Sequence, residues 1–457
     1  MRSLLVLGLV ASVGLAACAG PPTTRPDAGT PSFDWTVALA EQEAAILSVS
    51  LASPTEVVAV GGDVRQGAIL EWTGTEWRSP WLDGDTGLLW WVHSWPGGDA
   101  VTVGESATVL WRSGGAWRRL PLGDVVDART TFYGVWGAPD DLWLVGGSLV
   151  PGATRGVIVH FDGTTFSVVT DEGVDTRLLF KVWGAATDAV FAVGEQGAIL
   201  HWDGAAWTAA DSTIDDRLVA VFGRAADEVY AVGGEALGVV LAWDGASWRE
   251  WATSPEPLSG VFTAPGRALY AGGNRGLLLR YGAETDGLLD ATDPQFALPV
   301  DDVDFHALSG AAQPGGLVLA AGVDLFGGGA SSWRGALYSH AGSLAGPVVV
   351  VPGPDAGPDA PPPPPDAEPP IDAFIDAAPD AAWPIAGETC AVHPMTGPYC
   401  ATGLTCWVLL FTDTFICTET CDDATTCDAF GAGACCTRPG PQTLETVCVP
   451  QGFVECP

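Results

Sequence analysis

The feature that most constrains the fold is an internal repeat that is plainest in residues 178–212 and 218–252. The first copy reads LLFKVWGAATDAVFAVGEQGAILHWDGAAWTAADS, and the second reads LVAVFGRAADEVYAVGGEALGVVLAWDGASWREWA. The repeat recurs along the chain, and in each copy a glycine closes an apolar run. These glycines lie 39 to 50 residues apart and are Gly61, Gly104, Gly146, Gly194, Gly233, Gly272 and Gly322. Seven units of this length are typical of the blades of a β-propeller.

Each unit predicts four short strands. The β-branched and aromatic runs LLFKVWG and AVFAVG are separated by the turn sequence AATD, and GAILHW turns through Asp203-Gly204 into AWTAA. Apolar residues do not recur at the three-and-four spacing of an amphipathic helix. The pattern therefore favours an all-β propeller over a helical solenoid.

The seventh unit lacks the tryptophan-bearing fourth strand that the other units have. The N-terminal segment SFDWTVALAEQEAAILSVS matches AAWTAADSTIDDRLVAVFG, which places Trp35 on Trp207 and Val49 on Val221. We therefore predict a seven-bladed β-propeller over 33–345, closed by its N-terminal strand so that no sheet edge stays open. A small disulfide-rich C-terminal module completes the predicted fold.

Double glycines and paired aromatic residues resemble those of kelch propellers. The double glycines are Gly61-Gly62, Gly146-Gly147, Gly233-Gly234 and Gly272-Gly273, and the aromatic pairs are Trp72/Trp77, Phe161/Phe166, Trp202/Trp207 and Trp243/Trp248. The W-D-G-x-x-W turns resemble a reduced Asp-box. The resemblance covers about two thirds of the chain and implies a bacterial surface protein, although the aromatic spacing is one residue shorter than in kelch repeats.

The N-terminus predicts export. An apolar stretch over 4–17 follows Arg2, and its length is that of a signal-peptide core rather than a membrane span. It ends in Leu15-Ala16-Ala17-Cys18, which resembles the bacterial lipobox and implies cleavage before a lipid-modified Cys18. We therefore expect a lipoprotein signal peptide over 1–17 and a flexible, lipid-anchored tether over 18–32. An ordinary secretory signal is the alternative.

The residue after the cysteine bears on the destination. By resemblance to lipoprotein sorting, Ala19 favours the outer membrane or cell surface of a Gram-negative bacterium over the inner membrane.

The C-terminal quarter contains two further predicted segments. Residues 346–385 form a tract rich in Pro, Asp and Ala, which is typical of a semi-rigid acidic linker. Residues 386–457 read as a disulfide module of an oxidising compartment, with zinc binding as the alternative. Its cysteines are Cys390, Cys400, Cys406, Cys417, Cys421, Cys427, Cys435, Cys436, Cys448 and Cys456, and the spacing leaves their pairing open.

Charge excludes one class of partner. The chain has 19 Lys and Arg against 55 Asp and Glu, a net charge of −36, and Lys181 is its single lysine. Such a chain repels phosphate backbones, so nucleic-acid binding is not expected.

The repeat positions also argue against a catalytic or metal centre. His160 and His201 share a third-strand position that elsewhere holds Glu, Leu, Ala, Arg or Ser, so we interpret it as solvent-facing rather than metal-binding. The aromatic residue that follows is expected to face the core. Four carboxylates after the first strand are expected to cap turns: Asp99, Asp140, Asp188 and Asp227.

The predicted function is binding or display. No motif of a known catalytic class occurs, and we expect no catalytic residue, metal or cofactor. The connections between the second and third strands vary, at 147–156, 195–197 and 323–335, as do those between units, the longest at about 282–303. Both sets share one face of a propeller, which predicts a recognition face for a protein or glycan. The alternative is an extracellular propeller hydrolase or lyase acting on glycans.

Overall fold

The computed structural model describes residues 34–351, except 64–65, 83, 149–155, 170–176, 285–287, 293, 298–302 and 325–333. It also describes the backbone of short strands between 391 and 449. Within these ranges the chain is all-β, apart from a single 3-10 turn at Glu195–Gly197. No helix in the described part is long and apolar enough to cross a bilayer.

Seven sheets of four strands follow one another along the chain, and we number them as blades. The first strand, β1 (Thr36–Gln42), belongs to the last blade. Blade 1 contains β2 (Ala45–Ser53), β3 (Glu56–Gly62), β4 (Gly67–Trp72) and β5 (Trp77–Ser79). Blade 2 contains β6 (Leu89–Ser94), β7 (Ala100–Gly104), β8 (Val109–Ser113) and β9 (Ala116–Arg119). Blade 3 contains β10 (Thr131–Ala138), β11 (Asp141–Gly147), β12 (Gly156–Phe161) and β13 (Phe166–Val168).

The remaining blades repeat this plan. Blade 4 contains β14 (Leu179–Ala186), β15 (Ala189–Gly194), β16 (Ile199–Trp202) and β17 (Trp207–Ala210). Blade 5 contains β18 (Leu218–Ala225), β19 (Glu228–Gly234), β20 (Gly238–Trp243) and β21 (Trp248–Ser254). Blade 6 contains β22 (Leu258–Phe262), β23 (Leu269–Gly273), β24 (Leu278–Tyr281) and β25 (Gln295–Phe296). Blade 7 contains β26 (Asp304–Gly310), β27 (Val318–Asp324), β28 (Arg334–His340) and β1.

The predicted seven-bladed, all-β architecture is confirmed. Of eight clusters of buried apolar side chains in the described part of the chain, seven lie at the junctions between neighbouring blades, one at each, including the junction of blade 7 with blade 1. The core is therefore divided among the junctions, as expected when each sheet packs both of its faces against its neighbours.

The two ends of the propeller segment lie on neighbouring blades. Strand β1 is antiparallel to β28, with Thr36 opposite Ser339. A further strand, β29 (Val348–Val350), adds in parallel to the outer edge of β5 in blade 1. The segment predicted as a linker from residue 346 therefore begins with a strand of the propeller.

Seven short strands are described beyond the linker: β30 (Ala391–His393), β31 (Gly397–Tyr399), β32 (Thr405–Leu409), β33 (Thr414–Thr418), β34 (Thr420–Cys421), β35 (Cys435–Thr437) and β36 (Thr446–Val449). Their backbone register places Cys406 opposite Cys417 and Cys436 opposite Cys448. Cysteine side chains lie outside the description, so the disulfide module stays a prediction. The residues predicted as a signal peptide, as a tether with Cys18 and as the rest of the linker also lie outside the described residues.

Inner strands of neighbouring blades are joined by one repeated contact. The first strand of each blade is its inner strand. A side chain near the end of the inner strand of one blade meets, in the next blade, the residue one repeat position further along. The Trp136 ring lies 2.5 Å from the position that a Cβ would take at Gly184, and the Trp183 ring lies 2.7 Å from that position at Gly223. Phe262 and Gly310 repeat the contact between blades 6 and 7. Only glycine leaves room for these rings.

Polar groups make the same contact where the aromatic residue is missing. Ser50 and Ser94 are joined by a 2.7 Å hydrogen bond between their hydroxyl groups. The backbone N–H of Leu51 donates to the hydroxyl of Ser309 at 3.1 Å, which links blade 7 to blade 1. We refer to these inter-blade contacts as the joints. They link the inner strands of neighbouring blades, including blades 7 and 1, where the two ends of the propeller segment meet.

Candidate functional site

Each inner strand carries a bulge near its start. The register skips one residue in each blade, and the skipped residues are Leu47, Trp90, Tyr133, Phe180, Val219, Ser259 and His306. A bulge leaves one residue unpaired and redirects its side chain. Leu47, Trp90, Tyr133 and Phe180 come from four different blades and yet pack in one cluster. Side chains of four blades can meet on the axis of the ring, so these residues lie in the central channel.

The bulges mark one end of the channel. An inner strand begins where the chain arrives from the preceding blade, and the second strand returns to the same side before the third begins. The connections between blades and those between second and third strands therefore share one face, which we call the loop face; the opposite side is the turn face. The bulges lie near the start of the inner strands, so they form the mouth of the channel on the loop face.

The channel mouth is asymmetric. Leu47, Trp90 and Tyr133 of blades 1 to 3 are 5%, 7% and 3% exposed. The rings of Trp90 and Tyr133 are 5.4 Å apart, and those of Tyr133 and Phe180 are 5.7 Å apart. By contrast, the bulge residues of blades 4 to 7 are all partly exposed: Phe180, Val219, Ser259 and His306. The mouth is thus filled on one side and open on the other.

Lys181 follows the bulge of blade 4 and extends along the channel wall. Its amine lies 3.3 Å from the centre of the Trp91 ring of blade 2 and donates a 3.2 Å hydrogen bond to the carbonyl oxygen of Tyr133. Gly134 lies between these blades, and a Cβ there would be 3.1 Å from the Cα of Lys181. Glycine at this position therefore leaves room for the inner strand of blade 4 to approach closely.

Burial governs the charge of the groups in the channel. Desolvation lowers the pKa of Lys181 well below its usual range. His306 has a pKa lowered to about 4, first by burial and then by the positive charge of Lys181. The hydroxyl of Tyr133 has a raised pKa, again because of burial. Lys181 was not predicted as a site residue. Its sequence context could have indicated one, because it is the single lysine of the chain and lies inside the apolar run LLFKVWG.

His93 occupies the joint between blades 2 and 3. Burial lowers its pKa from 6.5 to about 4, and a hydrogen bond with the Gly137 backbone partly opposes this shift. In the unfolded chain this histidine takes up a proton near pH 6.5, whereas in the folded protein it stays neutral down to about pH 4. The folded state therefore loses stability as the pH falls through this window, by about 2 kcal/mol at pH 5.

The variant His93→Gln tests this linkage. Glutamine keeps an amide donor near Gly137 but does not titrate, so we expect its free energy of unfolding relative to wild type to rise by about 2 kcal/mol between pH 7.5 and pH 5. Urea unfolding at the two pH values measures this difference. An equal difference at both pH values would show that His93 is protonated alike in the folded and unfolded chains.

The two histidines singled out in the sequence stack on aromatic rings of their own blades. The ring of His160 lies 4.3 Å from that of Trp143, and the ring of His201 lies 4.3 Å from that of Phe191. His160 Nε2 also lies 2.6 Å from a carboxylate oxygen of Asp141. Both histidines are half-buried rather than fully solvent-facing. In the described part of the chain, no group of three or more His, Cys, Asp or Glu could hold a metal ion.

The turn-capping prediction was assigned to the wrong aspartates. The capping hydrogen bonds are made in the turns between third and fourth strands, where Asp203 accepts from the backbone N–H groups of Ala205 and Ala206, both at 2.9 Å. Asp162 and Asp244 repeat this arrangement. Asp140, Asp188 and Asp227 instead pack their Cβ atoms against the glycines of these turns.

Two further expectations need correction. The third-strand aromatic residues do not all face the core: Trp72 and Trp111 are buried, but Trp202 and Trp243 are half-buried and donate from Nε1 to turn carbonyls. The segment 282–303 is not a single connection between units, because β25 pairs with β24 within it. Most of this segment joins the third and fourth strands of blade 6 and lies on the turn face.

The fold is that of a seven-bladed β-propeller. Comparison with family models and with curated proteins finds no match. Among solved structures, the chain is similar to the WD40 repeats of RRP9, with 10% identity and a TM-score of 0.51 over 67% of this chain and 97% of that one. It is also similar to YCF48 from Cyanidioschyzon merolae, with 14% identity and a TM-score of 0.48 over 67% and 98%. A YCF48 structure bound to D1 peptide gives 15% identity and a TM-score of 0.49 over 68% and 97%.

Proposed function

We propose that the protein is a non-catalytic scaffold that binds a partner protein on its loop face. The observation that carries the proposal is that the connections of variable length and the open side of the channel mouth lie on the same face. The joints and the junction cores hold this face on a rigid ring, and loops on a rigid scaffold commonly carry recognition. Two large apolar side chains are exposed there, Trp81 at 48% and Leu237 at 60%. Exposed aromatic residues are frequent anchors of protein interfaces.

The proposal extends to the cell envelope. The lipobox-like Leu15–Cys18 segment supports a lipid-anchored protein of the outer membrane or cell surface. In this arrangement the N-terminal strand closes the propeller, and the acidic linker carries a disulfide-stapled C-terminal module away from it. The lipid on Cys18 would be the membrane contact, and the loop face would be left for a protein or glycan of the envelope.

Photocrosslinking in living cells tests the binding face. A photocrosslinking amino acid at position 81 or 237 is expected to give a covalent adduct with a protein. The matched control is position 288 on the turn face, where Leu288 is 71% exposed. Adducts from position 288 alone, or none from any position, would contradict the assignment of the face. Release of products from envelope glycans by the purified protein would favour the hydrolase or lyase alternative.

The anchor is tested by Cys18→Ala. This variant removes the thiol that would receive the lipid, so we expect it to leave the membrane fraction or to accumulate as an uncleaved precursor. Fractionation and intact mass measurement distinguish these two forms from a lipidated product. A cleaved Cys18→Ala product that still needs detergent for extraction would contradict lipid anchoring at this residue.

A further inference from the structure

Lys181 is a buried lysine whose contacts in the structure include no carboxylate. It is 7% exposed, and its amine contacts a carbonyl oxygen and the face of a tryptophan ring. Within the described residues, no Asp or Glu oxygen lies within the 4.0 Å of an ion pair with this amine. A buried charge is costly unless it is paired.

Two arginines in the described part of the chain, one fully and one largely buried, do have such a partner. Arg267, with a fully buried side chain, has its Nε 3.0 Å from a carboxylate oxygen of Glu284. Arg112, 20% exposed, has its Nε 2.6 Å from a carboxylate oxygen of Glu71. Both pairs form within the folded chain. Lys181 lies next to the bulge of blade 4, at the channel mouth, and has no such partner.

A second polar group is buried at the same mouth. The Nε2 atom of His306 has no hydrogen-bond partner among the described residues, although part of the ring is exposed. His306 is the bulge residue of blade 7, and Lys181 directly follows the bulge residue of blade 4, so both belong to the ring of residues around the channel mouth. A neutral imidazole donates from one ring nitrogen, so Lys181 and His306 together offer two donors to one acceptor group. A carboxylate accepts several such bonds, and charge-assisted bonds are the strong ones.

The open side of the mouth adds an apolar wall. Phe180 and Val219, the bulge residues of the neighbouring blades 4 and 5, are both partly exposed. A ligand that reaches Lys181 from the loop face passes these side chains. The channel mouth therefore combines donors for an anion with surface for an apolar group.

We propose that the open side of the channel mouth binds a carboxylate attached to an apolar group, with Lys181 and His306 as its hydrogen-bond donors. The inference deepens the proposed function, because the site lies on the loop face, and the carboxylate belongs either to a free acid or to a partner's C-terminus. A bound carboxylate favours the ammonium form of Lys181 and so offsets the desolvation that lowers its pKa.

The single lysine gives the experiment an unambiguous signal. Full-length protein labelled with [15N]lysine has one side-chain Nζ resonance, that of Lys181. We expect acetate and hexanoate to shift this resonance saturably, with hexanoate binding about 10-fold tighter because part of its chain leaves water against Phe180 and Val219. Hexanamide, which has the same apolar chain but no charge, is expected to leave the resonance in place.

Two variants separate the site from general charge effects. Lys181→Met keeps an unbranched side chain in the channel and removes the amine, and we expect it to weaken hexanoate binding at least about 10-fold by calorimetry. Arg249→Met removes a positive charge from an exposed position on β21 and should bind as wild type does. If Lys181→Met does not fold, the titrations of the native protein with hexanoate and hexanamide test the proposal by themselves. An unmoved Lys181 resonance, or an equal shift with hexanamide, overturns the proposal.

Peptides identify the source of the carboxylate. An acetylated tripeptide ending in leucine, with a free C-terminus, is compared with its C-terminal amide. Tighter binding of the free-acid peptide than of hexanoate, with loss in the amide, supports a partner's C-terminus; binding of hexanoate alone supports a free acid. Because these titrations need no protein partner, their outcome is independent of the crosslinking test. Carboxylate binding without crosslinked adducts would contradict the proposed binding of a partner protein and would support the carboxylate site.

Discussion

Deleting residues 33–40 is expected to lower the melting midpoint of the whole propeller by on the order of 10 °C. The deletion removes most of β1 and opens the outer edge of β28. It takes away the buried Ala38 and Leu39 and the contact of Trp35 with Tyr270, whose ring centres are 6.3 Å apart. Lost apolar burial and ladder hydrogen bonds together amount to about 4–8 kcal/mol. Thermal unfolding followed by circular dichroism measures the shift.

The other end of the propeller supplies the matched control. A chain that stops after residue 347 loses β29, which also lies at the outer edge of a blade but has its valines 37% to 73% exposed. We expect this truncation to change the midpoint far less than the deletion of 33–40. An unchanged midpoint after the N-terminal deletion would mean that the ring is held by the joint of Ser309 with Leu51 and the core between blades 7 and 1, without β1.

The second large effect is expected for Trp77→Ala. Trp77 is fully buried, and its ring lies 5.4 Å from that of Trp72. Its Nε1 donates to the carbonyl oxygen of Leu344 at 2.9 Å, and its backbone N–H donates to that of Pro347 at 2.9 Å. The variant leaves a cavity and an unpaired carbonyl where the chain leaves the propeller. We expect a loss of about 3–5 kcal/mol in the free energy of unfolding.

Trp81→Ala is the control for this substitution. Trp81 lies four residues further along and is 48% exposed, so its removal should change stability by less than about 0.5 kcal/mol. Urea unfolding of both variants gives the comparison. Equal losses at the two positions would contradict the anchoring role of Trp77.

The repeat made the architecture predictable because every blade has the closing glycine and four of the blades also have the aromatic pair. Alignment of Trp35 with Trp207 led to the prediction that the N-terminal segment completes the last blade, and the deletion of residues 33–40 tests whether this strand closes the ring. The limits of single blades were harder to predict. The two-residue strand β25 has no tryptophan to mark it. The residues before and after it were therefore predicted as one connection over 282–303.

The channel mouth could not be predicted from the pattern of the strands. Leu47, Trp90 and Tyr133 look like ordinary apolar strand residues, and only a register skip in the paired sheet turns them toward the axis. A bulge changes the alternation of faces by one residue without leaving a mark in the composition. The sequence also gave no reason to connect Lys181 with Trp91, because Gly134 matters only when blades 2, 3 and 4 stand side by side.

The joints have a consequence for how such a ring can grow. In blade 4 the ring that projects into the next blade and the glycine that accepts the ring of the previous blade are adjacent in sequence, as Trp183-Gly184. A tandem duplication of one such unit therefore carries a donor ring and an acceptor glycine together, and the copy fits the neighbours of its parent on both sides. A point substitution acts differently. It changes only one member of the dipeptide and therefore disturbs the interface with only one of the two neighbouring blades.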